Sequence, residues 1–260
     1  MSRAGFVAFL LALLPLAAGE ALADNKETLD AARAAYYSLR REGLTGFSCL
    51  VTPNWDLLLA SRWRTDPAAA AKAYKAFSSL TIGVEVAVGQ KVKVLHADLP
   101  AGSDAEAEAL KRLVGGMEQT LTGFFDIWSP FVLTTPIPGT AEMTLAHGLW
   151  IVDFKEGGNV SVGLVMRQDY TIETTRIVTA TNASVIQPQF VKSPKGLVLS
   201  ALQGSSRALP TGPAYTLQFR IESQDVGGFM LPRRLLASSS NGQGVALMDM
   251  TFGTCQAHRR

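Results

Sequence analysis

Tyr215-Thr-Leu-Gln-Phe-Arg-Ile-Glu222, followed by Ser-Gln-Asp-Val-Gly-Gly-Phe-Met-Leu-Pro-Arg-Arg234, is the stretch whose reading decides the fold. Apolar and polar residues alternate as far as Glu222, the period of a strand with one buried face. Asp225-Val-Gly-Gly228 then interrupts with turn residues, and Phe229-Met-Leu231 resumes an apolar run. Strands joined by so short a turn are antiparallel neighbours.

The same grammar extends in both directions, from about Thr140 to Thr254. Turn signals recur at Glu156-Gly-Gly-Asn159, Arg167-Gln-Asp169, Lys192-Ser-Pro-Lys-Gly196 and Asn241-Gly-Gln-Gly244, and they mark a meander. The chain as a whole carries about ten to twelve strands, too many for a flat sheet, which must curl, close or split. One face of the curl needs a cover, and the chain supplies helices rather than a second sheet. The expected fold is α+β: a curved antiparallel sheet, an incomplete barrel of about 10–12 strands, with helices covering the concave face.

Those helices lie upstream. Thr28 is placed to cap a first helix, with Leu29, Ala32, Tyr36 and Leu39 at helical spacing and Gly43 at its end. A first strand follows at Gly46–Thr52, then a short helix at Trp55–Trp63. Asp66-Pro67 opens an alanine-rich helix to Ser78. Thr81–Val88 and Lys91–Ala97 form a hairpin about Gly89-Gln90, read as a two-residue type II′ turn. Ser103 or Asp104 caps a long helix from Ala105 to Trp128, and a Pro-rich connection runs from Pro130 to Pro138.

The long helix carries one continuous apolar face, built by Leu110, Leu113, Val114, Met117, Leu121, Phe124, Phe125 and Trp128. Such a face is either ordinary core or the cover of an apolar cavity. Gly115-Gly116, in mid-helix, would allow close helix–sheet packing or a bend.

The chain ends set the compartment. Arg3 precedes an apolar run from Gly5 to Ala18, and Ala21-Leu-Ala23 is a small-x-small cleavage pattern. That reads as a secretory signal peptide over 1–23, shorter than the roughly 20 apolar residues a bilayer span needs. A soluble, exported, periplasmic chain with no stable membrane span is expected. Asp24 stands where a lipoprotein would need its cysteine. The segment 1–23 holds one charge of each sign, so the mature chain keeps the formal net charge of +2. With no basic run, nucleic acid is excluded as a partner. Cys49 and Cys255 are the two cysteines, and in an oxidising compartment an even pair predicts a disulfide, with two separate buried thiols as the alternative. A bond would close a loop of about 200 residues, worth about 4–5 kcal/mol on the loop-entropy model.

No catalytic signature emerges. His96 and His147 read as single polar residues on strands and His258 as part of a frayed tail. There is no HExxH and no CxxC pair, so neither a metal nor another cofactor is expected. Gln203-Gly-Ser-Ser-Arg207 lacks the second glycine of a nucleophile elbow and reads as a loop. Glu85, Glu142, Asp153 and Glu173 fall on strands, but the sequence brings no two of them into one cleft. The chain reads as non-enzymatic.

An exported chain with an N-terminal helix, an early strand, a hairpin, a lid-like helix and a long meander resembles the LolA/LolB-like lipoprotein-carrier superfamily. Asp225-Val-Gly-Gly-Phe-Met-Leu-Pro-Arg-Arg234 is similar to the Asp-Gly-x-x-Leu-Pro turn-and-strand element of lipoprotein-sorting sequences, with Pro232 at a strand edge. Tyr36–Arg40 through Gly46–Cys49 looks like their passage from helix to first strand. The section 54–78 is an addition. The resemblance implies one half-barrel domain over 24–260 that binds lipid or lipoprotein acyl chains under its helices, with an envelope protein as a further partner. Leu113, Met117, Leu121, Phe124, Phe125 and Trp128 are the expected ligand-binding residues. The alternative is a structural or interaction module of the cell envelope with a filled core.

Overall fold

A computed structural model describes residues 25–97, 105–241 and 244–260. The segment 1–23 read as a signal peptide, and the capping position at Ser103 or Asp104, lie outside those residues.

Among the described residues twelve strands form one antiparallel sheet. In chain order they are β1 (Leu44–Pro53), β2 (Ile82–Ala87), β3 (Lys93–His96), β4 (Glu142–Ala146), β5 (Leu149–Glu156) and β6 (Val160–Met166). Then come β7 (Ile172–Val178), β8 (Asn182–Ser193), β9 (Gly196–Ala208), β10 (Ala214–Val226), β11 (Phe229–Ser240) and β12 (Val245–Arg259). Every neighbour from β4 to β12 is the next strand in sequence, as short hairpin turns dictate. β12 then pairs with β1, which carries β2 and β3. The circle stays open between β3 and β4, and the helix α5 (Ala105–Val132) joins those two edges. The α+β half-barrel read from the period-two pattern is therefore the fold.

β12 serves two partners. Val245 to Thr251 pair with β11, and Met250 to Arg259 pair with β1, with a bulge near Gly253 where Thr254 takes a positive φ. Cys49 and Cys255 are bonded at this corner across 206 residues, tying the first strand to the last.

Among the described residues there are four other helices: α1 (Asn25–Ala34), α2 (Trp55–Leu58), α3 (Ala60–Thr65) and α4 (Pro67–Ser78). Asp66 caps α4 by accepting from the Ala69 N–H at 3.0 Å. α1 ends nine residues before Gly43, and Thr28 lies inside it rather than at its cap. The helical spacing past Ala34 is overridden by a better use of the backbone. Residues 35–37 pair with Leu197 of β9, and Leu39 and Arg40 donate to the Val132 and Leu133 carbonyls. Gly196 permits this crossing: at φ +117° it lies under the 35–37 backbone, and a Cβ there would sit 2.8 Å from the Ala35 oxygen. Tyr36 fastens the same passage by donating its hydroxyl to the Tyr170 carbonyl and accepting from the Ile172 N–H.

Several other local readings change. α5 runs through Pro130 to Val132. A proline in the last turn forfeits a single backbone bond, and burial of Phe131, Val132 and Leu133 favours the extra turn. Gly89 is the second central residue of its turn, which Gln90 N–H closes onto the Ala87 oxygen. Positive φ there belongs to a type II rather than a II′ geometry. His147 is not on a strand but forms the β4–β5 turn with Gly148, both at positive φ. His258 lies in β12, paired with Gly46, rather than in a frayed tail. Gln203–Arg207 is interior to β9, not a loop. Pro232 is inside β11, yet it precedes Arg234, where pairing to β12 begins, so its missing N–H costs no ladder bond on that side.

Candidate functional site

α5 lies across the concave face, but it does not lie symmetrically. Phe124 packs on Phe219 of β10 and Phe252 of β12, with ring centroids 5.5 and 6.3 Å apart. Phe125 meets Phe252 at 6.1 Å, and Trp128 meets Phe47 of β1 edge-on at 6.1 Å. Met117 and Leu121 are fully buried in the same cluster, while Leu113 is half-buried at its margin. The helix thus fills the half of the barrel formed by β1, β12 and β10.

Over the other half the helix leaves room. A cavity of about 1150 Å³ lies between the C-terminal half of α5, the segment Leu133–Pro138, the end of α1 and the inner face of β5 to β8. It exceeds the roughly 300–1,000 Å³ of ordinary small-molecule sites. Its deep wall is two rows of cross-strand neighbours. Phe154, Val162 and Ile177 form one; Leu164, Thr175 and Ile186 form the other. Phe125, Ile127 and Phe131 face this wall from the helix side. Of the six helix residues expected to bind ligand, Phe125 lines the cavity; Leu113, Met117, Leu121, Phe124 and Trp128 are not among its lining.

One member of the wall is out of character. Thr175 is 4% exposed, and its Oγ1 is buried without a hydrogen-bond partner among the described residues. A buried hydroxyl in that condition costs free energy, of order 1–3 kcal/mol.

The mouth is cationic. Arg33, Arg40, Arg41, Lys91, Lys155 and Arg260 line it, against Asp30, Asp126 and Glu156, leaving a formal +3 at one opening of a chain that is +2 overall. Arg33 is engaged by Asp30 at 3.4 Å and by the Ile137 carbonyl at 3.2 Å. Arg41 is held by the carbonyls of Arg33, Ala34 and Tyr36, which fix its guanidinium without neutralising it. Among the described residues Arg40, Lys91, Lys155 and Arg260 have no carboxylate within ion-pair distance.

The remaining candidates lie elsewhere. Glu142 and Asp153 are direct cross-strand neighbours on β4 and β5, both exposed, and neither lines the cavity. Glu85 and Glu173 are on β2 and β7, exposed and outside the cavity lining. His96 on β3 reaches Glu118 of α5 at 3.5 Å. Ser206 accepts a hydrogen bond from Ser184 of β8 at 2.8 Å. Among the described residues no cluster of three or more His, Cys, Asp or Glu side chains could hold a metal, and no helix is long and apolar enough to cross a membrane.

The sequence reading missed the wall and the mouth. In β7, strict alternation from Ile172 would turn Thr174 and Arg176 inward. A bulge against β6, between Val165 and Met166, shifts the register so that Thr175 and Ile177 face the cavity instead. The adjacent Arg40-Arg41 was a visible signal of charge, but nothing local places it beside Lys91 or Arg260.

Comparison of the chain with protein-family models, curated proteins and solved structures finds no match.

Proposed function

We propose that this chain is an exported, periplasmic, non-enzymatic binding protein that carries a lipid or lipoprotein acyl chain under α5. The observation that carries this reading is the cavity of about 1150 Å³ with a wall of Phe154, Val162, Leu164, Ile177 and Ile186. An apolar concavity of that size takes an apolar guest, and burial stabilises the complex by about 25 cal/mol per Å². The disulfide suits an oxidising compartment. The topological resemblance to lipoprotein carriers, and the segment read as a signal peptide, support the same conclusion.

The ligand sits beside the aromatic cluster of α5 rather than within it. Phe125 is shared between cluster and cavity; the other aromatics hold the helix at the height that leaves the cavity open. The alternative, a filled structural module that docks on an envelope protein, draws on the packed contacts of Phe124 and Trp128 with the sheet.

Native mass spectrometry of the protein purified from its host separates the two. A co-purifying amphiphile, or saturable binding of acyl probes, is the expected result. A protein that arrives without lipid and binds no acyl probe is the filled module.

A further inference from the structure

We infer that the guest is an anionic glycerol-ester lipid, with its phosphate at the cationic mouth and an ester carbonyl deeper, accepting from Thr175. This rests on the acyl-binding reading above and names the chemical class of its ligand.

Two independent observations converge on it. The first is the mouth, where among the described residues Arg40, Lys91, Lys155 and Arg260 carry no carboxylate partner and Arg41 is a fixed cation held by carbonyls. Such groups recognise a phosphate through charge-assisted, often bidentate hydrogen bonds. A neutral apolar guest would leave them unused. The second is Thr175, in an otherwise apolar row between Leu164 and Ile186: its hydroxyl has no partner among the described residues and essentially no exposed surface, so it meets the guest's carbonyl through a χ1 rotation toward the cavity that the residue lines. An acyl chain alone has nothing to offer that hydroxyl.

Together they discriminate between amphiphiles. A free fatty acid has oxygens at one end only, so it can meet the mouth or Thr175 but not both. A diacylglycerol has ester carbonyls but no charge. An ether-linked phospholipid has the charge but no carbonyl. A phosphoglyceride with ester-linked chains has a charged head, carbonyls just below it and apolar tails, in the order the cavity presents cations, hydroxyl and apolar wall.

The test is calorimetric titration of the intact protein with short-chain probes kept below micelle formation: phosphatidylglycerol, its ether-linked analogue, diacylglycerol, a fatty acid and glycerol phosphate. The ester phosphatidylglycerol should bind about tenfold more tightly than diacylglycerol, as a hydrogen-bonded charge implies. It should exceed its ether analogue about fivefold, as one neutral hydrogen bond implies. Raising the salt should narrow the first ratio and leave the second. Arg40→Gln with Lys91→Gln and Arg260→Gln, all exposed positions, should collapse the first ratio; Thr175→Val should collapse the second.

Equal affinity for phosphatidylglycerol and diacylglycerol overturns the anionic head. Equal affinity for ester and ether probes overturns the role given to Thr175. Glycerol phosphate binding as tightly as the lipid would show a phosphate site that ignores the apolar wall, and overturns the lipid. Failure of every acyl probe, diacylglycerol included, instead removes the acyl-binding reading itself.

Discussion

Arg234 of β11 reaches diagonally across the ladder to Asp249 of β12 in a bidentate pair, Nε to Oδ1 and Nη2 to Oδ2 both at 2.8 Å. The bulge at Arg233 turns Arg233 and Arg234 to the same outer face, where both reach Glu222. Asn54 completes the arrangement by donating its side-chain amide to Asp249 at 3.1 Å. The pair therefore pins the β11–β12 ladder to the loop that leaves β1.

Asp249→Asn should cost about 1–3 kcal/mol at neutral pH, as expected for a buried hydrogen bond to a charged group. The Arg234 guanidinium holds the Asp249 carboxyl below its ordinary range, burial opposes this, and Asn54 adds to the lowering. A carboxyl whose folded pKa lies below its unfolded value of about 3.9 stabilises fully above that value and ceases to as pH falls through the folded pKa. The difference between wild type and variant in urea denaturation should thus be constant near neutrality and shrink below about pH 4. A difference that persists undiminished into strong acid would assign the effect to shape rather than charge.

Removing the covalent link by Cys49→Ser with Cys255→Ser, or by reductant, should lower stability by about 2–5 kcal/mol. The 206-residue separation makes the entropic effect on the unfolded chain large. Thermal melts with and without reductant measure it, and identical melts would show that the β1–β12 ladder suffices.

Glycine has opposite meanings at two places. A Cβ at Gly115 or Gly116 meets nothing within 4 Å, so neither glycine serves close helix–sheet packing. Gly115→Ala and Gly116→Ala should each stabilise the protein by about 0.5–1 kcal/mol. Gly196→Ala should destabilise it by about 1–3 kcal/mol, because its φ of +117° and the Ala35 oxygen leave no place for a methyl group. Chemical denaturation of the three variants checks both signs. If the alanines in α5 slow the uptake of an acyl probe while raising stability, the glycines act in flexing the helix.

Thr175→Val tests the lone hydroxyl without any ligand. Replacing an unpaired buried hydroxyl by an isosteric methyl should raise stability by about 1–3 kcal/mol, against the usual direction for core substitutions. A lower melting temperature would mean that the hydroxyl already has a partner in solution.

The strand period in Tyr215–Glu222 and the glycine turn at Gly227-Gly228 were enough to read the meander, because a hairpin is a local object. The disulfide was legible as a pairing of the two available cysteines, and the apolar face of α5 as a surface that had to be buried. The ends of α1 and α5 were not legible. In both, tertiary backbone bonds or apolar burial outweigh the local signals at Ala34 and Pro130. Thr175 was hidden by a bulge that inverts the faces of β7, which no alternation pattern records.

By itself the sequence determined the class of fold, the neighbours in the sheet and the need for a helical cover. Periodicity encodes which side of each element is apolar, and turn chemistry encodes which strands are adjacent. Only the tertiary structure decided where the cover sits. The aromatic cluster of Phe47, Phe124, Phe125, Trp128, Phe219 and Phe252 draws α5 onto one half of the sheet and leaves the β5–β8 half open. The cavity is the volume left by that packing, and its charged mouth gathers Arg40, Lys91, Lys155 and Arg260 from four separate segments. Such convergence depends on sheet curvature and helix placement, which are properties of the whole packed molecule and of no single stretch of chain.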